Sequence, residues 1–346
     1  MRLSGTIFGS FLVFLLTFLS AMTVVMADTL TMNDGSVLIG KVISQEKNTL
    51  KFKTSYAGTI NIKWDQVKQF ETDEPVTVML VTDELISTKS VNNIANGTSQ
   101  IRKEGSSWKN SFKTDSVAFI NPDPWRLNQG YKISARANFA LKSQHGNTTK
   151  DEIDMDGRLE FRSLQDRYIV SGTLENDTNK GKTTADSWLI TGKYDYFYTK
   201  KRYFGGKLSF ERDRFTDLDL RTTLGLYAGH QFYESKALNL KAELGLSEVH
   251  ENNIDADNYD YPAMDWGIDY DQYFFDDFAQ FYHNHTGIWN LDDTDRMTLK
   301  SWTGFRFPLR FGVIASTEME LEYDSQPNES IDKTDITYRV KIGYEW

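Results

Sequence analysis

Two histidines stand two residues apart in the stretch Phe281-Tyr282-His283-Asn284-His285. On a strand that spacing puts both rings on one face, where a pair of imidazoles could begin a metal site. A histidine could also act as base to a hydroxyl two residues away on its own face. The sequence offers no such hydroxyl on this strand. His285 follows His283 at that spacing, Gly287 follows His285, and Thr286 points to the opposite face. Carboxylates form the second chemically capable set. Asp265, Asp269 and Asp271 share one strand face, and Glu318, Glu320 and Glu322 share another. Paired carboxylates can move protons or bind calcium. Basic residues are as frequent at comparable positions: Arg136, Arg158, Arg162, Lys241, Arg306, Arg339 and Lys341. Cross-strand charge pairing uses both sets more simply than catalysis does. No cofactor is expected.

The elements that carry these residues alternate. From Tyr131, the residues Ile133, Ala135, Ala137, Phe139 and Leu141 interleave with Lys132, Ser134, Arg136, Asn138 and Lys142. Such strands have one apolar and one charged face. The pattern recurs near 131–142, 153–163, 167–175, 187–198, 203–213, 218–230, 237–249, 264–274, 280–290, 296–307, 311–324 and 335–346. Twelve strands of this length are enough to cross a bilayer as a tilted antiparallel barrel, with both ends of the chain on one side. The links read as alternately short and long, with 143–152, 176–186, 250–263 and 325–334 the long, polar ones and 214–217 and 291–295 shorter exceptions. Aromatics such as Trp188, Tyr194, Tyr196, Phe204, Trp266, Phe305 and Tyr344 fall on the apolar face, as aromatic girdles require. On this reading His283 and His285 are lumen histidines hydrogen-bonded to neighbouring acids. Twelve strands lie between barrels filled by side chains and barrels that hold water, so a scaffold and a narrow pore both remain open.

Ahead of the barrel the chain has two further parts. Residues 1–27 begin Met-Arg, continue through an apolar run from Ile7 to Leu19, and end on Ala27. That is the form of a secretory signal peptide cut after Ala27; an uncleaved helical anchor is the alternative. Residues 28–122 read as short strands broken by Asn33-Asp34-Gly35, Gln45-Glu46-Lys47-Asn48 and Ala57-Gly58. Such spacing suggests a small SH3-like or Sm-like barrel, here a periplasmic domain. Asp65-Gln66-Val67 is echoed by Asp115-Ser116-Val117, and Val76–Leu80 would replace the first strand of a second, degenerate copy. Residues 123–130 read as a linker, and 131–346 as the barrel.

Composition limits the remaining classes. The 346 residues carry 39 basic and 49 acidic side chains, a net charge of −10, which becomes −11 once the signal peptide with its single Arg2 is removed. An acidic chain has no surplus to replace phosphate counterions, so no nucleic-acid partner is expected. With no cysteine, disulfides, thiolate zinc sites and cysteine nucleophiles are excluded. A mean hydropathy of −0.51 excludes a bundle of membrane helices. Yet aromatics make up 14% of the chain, more than so polar a sequence needs for one dry core. Alternation accounts for both values.

Two features point to a family. The run Asp65-Gln66-Val67-Lys68-Gln69-Phe70-Glu71-Thr72-Asp73-Glu74-Pro75 ahead of a barrel resembles the domain-of-unknown-function 481 family, described as salt-induced outer-membrane proteins. Phe281-Tyr282-His283-Asn284-His285 and Thr303-Gly304-Phe305-Arg306-Phe307-Pro308-Leu309 look similar to that family as well. The resemblance implies location and architecture; it carries no reaction or site residues. The final strand alternates without a break from Asp335 and ends on Trp346. It resembles the C-terminal assembly signal of outer-membrane barrels, with Lys341 where those usually carry Gly. The expectations are therefore an all-β protein of the Gram-negative outer membrane, contacting its lipid, engaging the barrel-assembly machinery through the strand ending at Trp346, and non-catalytic. A narrow diffusion channel and a lipid-modifying enzyme are the alternatives.

Overall fold

The computed structural model describes residues 27–46, 48–94, 97–102, 109–144, 150–235, 237–275, 277–327 and 332–346. Residues 1–26 of the segment expected to be a signal peptide thus lie outside the described residues. The chain divides into two compact units after Pro122. Regular structure is β throughout, apart from four short 3-10 turns, among the described residues.

The first unit contains β1 (Asp28–Met32), β2 (Val37–Glu46), β3 (Thr49–Thr54), β4 (Gly58–Lys63), β5 (Val67–Leu80), β6 (Leu85–Ile94), β7 (Thr98–Arg102), β8 (Lys109–Lys113) and β9 (Val117–Ile120). Period-two patterning sets its core. In β3, Leu50, Phe52 and Thr54 are buried while Thr49, Lys51 and Lys53 are exposed. Leu50 and Phe52 form one apolar cluster with Leu30, Val42, Phe70, Val78, Val91 and Ile120. Each such side chain contributes roughly 1.5–3 kcal/mol through burial. The strand order is β4-β3-β2-β1-β5-β6-β7-β8, with β9 pairing both β2 and β5. The long β5 serves two halves, its first part beside β1 and its end beside β9. Asp65-Gln66 and Asp115-Ser116 occupy equivalent 3-10 turns leading into β5 and β9. The closing strand of each half also pairs with the second strand of the other: Gln69 opposite Asn92, and Ile120 opposite Gln45.

The second unit is a closed antiparallel barrel of twelve strands. These are β10 (Lys132–Gln144), β11 (Lys150–Arg162), β12 (Asp166–Asn179), β13 (Lys182–Phe197), β14 (Arg202–Asp213), β15 (Leu218–Glu234), β16 (Leu238–Asn253), β17 (Tyr259–Phe274), β18 (Ala279–Asn290), β19 (Met297–Pro308), β20 (Val313–Asp324) and β21 (Thr334–Glu345). The seam joins β10 to β21, from Arg136 opposite Glu345 to Phe139 opposite Ile342. Beyond it, Ala135 and Trp346 exchange backbone hydrogen bonds of 3.1 and 3.0 Å. Residues 123–130, expected as a plain linker, carry a 3-10 turn over Pro124–Leu127 with Trp125 buried.

Several strands run further than their apolar alternation does. β12 and β13 continue to Asn179 opposite Lys182, so the long loop expected at 176–186 shrinks to Lys180-Gly181. Both residues have positive φ, 51° and 74°, the geometry of a tight hairpin turn that glycine favours. β16 and β17 likewise leave only 254–258 between them. The backbone ladder pays no attention to side-chain polarity, so it extends past the apolar belt into polar sequence. The expected contrast of long and short links is correspondingly weaker.

The two faces are sharply different. Exposed exterior side chains include Ile133, Phe139, Val170, Ile190, Leu224, Leu226, Leu244, Leu246, Tyr338 and Val340. The alternate positions point into the lumen, where Arg162, Arg167, Asp195, Lys241, Asp265, Arg306 and Lys341 are all buried.

Candidate functional site

The lumen is organised by ion pairs, and many of them cross it. Lys300 on β19 reaches Glu211 on β14 at 2.7 Å and Glu322 on its neighbour β20 at 2.6 Å. Arg221 on β15 bonds the same Glu211 at 2.9 Å and Glu251 at 2.6 Å. Lys207 meets Asp265 at 2.7 Å, and Lys241 meets Asp269 at 2.7 Å; Lys193 pairs with Glu243. On the last strand, Lys341 contacts Glu318 at 2.7 Å, Asp156 at 2.9 Å and Asp154 at 3.0 Å. Arg339 reaches Glu175 at 2.8 Å and also pairs with Asp154 and Glu320. Charges taken out of water need such partners, because an unpaired buried charge costs several kcal/mol.

Towards the end where the barrel chain begins and finishes, the lining turns aromatic. Asp195, fully buried, accepts from Arg167 Nε at 2.6 Å and from the Tyr227 hydroxyl at 2.5 Å. The Arg167 guanidinium lies 4.7 Å from the Tyr203 ring and 5.1 Å from that of Phe197. Arg162 stacks on Phe197 at 3.7 Å and faces Trp125 at 5.6 Å. This Arg–aromatic layer fills one side of the lumen.

Two spaces remain. A central chamber of about 260 Å³ is lined by nine basic and six acidic side chains. A smaller one of about 80 Å³ lies nearer the opposite end. Glu211, Arg221 and Lys300 border both, so the Glu211–Lys300 bridge stands at the junction.

The carboxylate sets expected on one face do face the lumen, each with a partner. Asp265 and Asp269 have the lysines named above, Asp271 accepts from Asn239 at 3.0 Å and Gln280 at 2.9 Å, and Glu318 and Glu322 pair with Lys341 and Lys300. Glu320 also accepts from Trp302 Nε1 at 2.7 Å. The histidines require a correction. The strand places Gln280 and Tyr282 in the lumen, bonded to Arg306 and Glu318, so His283 and His285 lie on the outer face. Their hydrogen-bond partners, among the described residues, are not acids. Trp266 Nε1 donates to His285 Nε2 at 3.0 Å, His285 Nδ1 meets His283 Nε2 at 3.2 Å, and His283 Nδ1 meets Thr303 Oγ1 at 2.7 Å. The Trp266 ring covers Gly287, where a Cβ would fall inside it.

That chain has a fixed polarity. An indole N–H can only donate, so His285 Nε2 is unprotonated and its proton sits on Nδ1. His283 Nε2 must then accept, and its own Nδ1–H donates to Thr303. The tautomers follow from the network. A base that donates to a hydroxyl cannot deprotonate it. Among the described residues no three or more His, Cys, Asp or Glu side chains converge to hold a metal.

Sequence reasoning missed Arg167, Asp195, Lys193, Lys207, Glu211, Arg221 and Lys300 as members of the network. Strand parity was the available signal: each sits on the charged face of its strand.

An apolar exterior, a charged and hydrogen-bonded interior and a closed ladder of twelve antiparallel strands together define a barrel of the transmembrane type. The chain belongs to the family described as "Protein of unknown function, DUF481", which it matches over residues 137–346. No curated protein matches the sequence. Among solved structures, the chain is similar to the NanC porin, at 9% identity and a TM-score of 0.40, covering 62% of this chain and 99% of that one. It is similar to the translocator domain of the autotransporter NalP from Neisseria meningitidis, at 13% identity and a TM-score of 0.36, covering 62% and 88%. A porin refined at 1.8 Å is similar at 10% identity and a TM-score of 0.29, covering 62% and 100%.

Proposed function

We propose that this protein is a non-catalytic outer-membrane β-barrel of the cell envelope whose lumen is held shut by ion pairs, with the N-terminal unit on the periplasmic side. The observation that carries the reading is the Glu211–Lys300 bridge between strands five apart, at the junction of the two chambers. The apolar exterior supports contact with lipid, and the strand ending at Trp346 supports engagement of the barrel-assembly machinery. The fixed polarity of the Trp266–His285–His283–Thr303 chain supports a non-catalytic role. A link to salt or envelope stress has the family resemblance as its support.

Planar-bilayer recording tests the closed lumen. The wild-type protein is expected to give no reproducible conductance steps, and Lys300→Ala is expected to introduce them. Steps in the wild type would favour the second reading, a narrow diffusion channel, for which the central chamber is the supporting observation. For the non-catalytic role, phospholipid turnover by the purified barrel is expected to equal that of His283→Ala/His285→Ala; activity lost in that variant would overturn it.

A further inference from the structure

Seven of the nine cations that line the central chamber have a carboxylate within ion-pair distance. Arg136 and Arg306 are the two that do not, among the described residues. Arg306 is 6% exposed. Its Nη1 donates to Gln280 Oε1 at 3.0 Å, and its guanidinium lies 3.7 Å from the centre of the Tyr282 ring. Gln280 in turn donates to Asp271 at 2.9 Å, so the amide holds Arg306 and keeps that carboxylate one residue away. Arg136 lines the same chamber from β10. Arg136 Nε is buried with no hydrogen-bond partner.

Two guanidiniums facing one chamber without a carboxylate in ion-pair contact, among the described residues, depart from the rule the other seven cations obey. Like charges repel most strongly where water is scarce, and a buried N–H without an acceptor is costly. Both defects vanish if an acceptor of negative charge sits between them. Guanidinium forks match planar or tetrahedral oxygens in bidentate fashion. Gln280 and Tyr282 fix the orientation of one fork in advance, which lowers the ordering cost of binding. The chamber admits only a small ligand.

We propose that Arg136 and Arg306 form a binding site for a small oxyanion, a carboxylate or a phosphate, in the barrel lumen. The site stands whether or not the lumen conducts. Its test is calorimetric titration of the detergent-solubilised full-length protein with inorganic phosphate and, separately, with acetate, against chloride at fixed ionic strength. Saturable binding of at least one oxyanion is expected. Arg306→Gln and Arg136→Gln should each weaken it about tenfold or more, while Lys53→Gln, at an exposed position of the first unit, leaves it unchanged. A selenate-soaked crystal of the wild type guards against variants that fail to fold: anomalous selenium signal is expected between the two guanidiniums. Absence of saturable binding, binding that survives the Arg136→Gln/Arg306→Gln double variant, or selenium only elsewhere would overturn the site.

Discussion

Arg167 and Asp195 offer the sharpest test of how the lumen is stabilised. Their side chains are 3% and 0% exposed, with Nε and Oδ2 2.6 Å apart. Replacing Arg167 with Met keeps the bulk of the stem and removes the charge. Asp195 is then left with one donor, the Tyr227 hydroxyl, in a site without water access. Removing one partner of a buried pair costs about 3–5 kcal/mol. The lost contacts with the Phe197 and Tyr203 rings add about 2 kcal/mol. Asp195→Asn should cost a similar amount, because it strands the guanidinium instead. The double variant Arg167→Met/Asp195→Asn leaves neither charge uncompensated. It should therefore be more stable than the worse single variant, with a coupling of about 2–3 kcal/mol or more between the two sites. Guanidinium unfolding of the barrel reconstituted in phospholipid vesicles, followed by tryptophan fluorescence, gives all four stabilities. If the double variant loses the sum of the two single losses, the charges do not compensate one another and the account of the lumen given above is wrong.

Three further outcomes are expected. Gly229→Ala drives a Cβ into the ring of the fully buried Tyr203; overpacking of this kind costs about 1–3 kcal/mol, read as a lower unfolding midpoint. Deleting Trp346 removes both backbone bonds with Ala135 at the seam and should lower the fraction of protein that migrates as folded barrel on unheated gels. In the first unit, the Asp28 carboxylate accepts from the amides of Val42 at 2.7 Å and Asp73 at 3.1 Å. Asp28→Ala orphans both, at about 1–3 kcal/mol for the buried Val42 amide and less for half-buried Asp73, and hydrogen exchange at those two amides should accelerate ahead of the rest of the unit.

The sequence made the strands legible and left their partners hidden. Period-two alternation marks the β21 face of Ile336, Tyr338, Val340, Ile342 and Tyr344 without ambiguity, because lipid-type and charged positions never mix there. Strand ends were less legible, since Asn176 to Asn179 pair with β13 although nothing apolar marks them. β18 shows the failure at a single site. Its two faces carry Phe281, His283, His285 and Gly287 against Tyr282, Asn284, Thr286 and Ile288, and neither is plainly apolar. Only the neighbours decide: Phe281 meets Phe305 edge-on at 5.3 Å, outside, while Arg306 lies on Tyr282, inside. Ion-pair partners across the lumen were out of reach for a different reason. Lys300 and Glu211 lie on strands five apart, and no local pattern connects them.

The distribution of lumen charge also fixes an order of events. Asp154, Asp156 and Glu175 belong to the second and third strands of the barrel, yet their cationic partners, Arg339 and Lys341, arrive on the twelfth. A half-built sheet would therefore carry carboxylates that can stay charged only while water reaches them. Drying of the interior must wait for the final strand, so closure of the seam and neutralisation of these second- and third-strand carboxylates become one step. A chain truncated before Arg339 would not be a smaller barrel but an open sheet that keeps its solvent, which makes the last strand a checkpoint on assembly as well as its final piece.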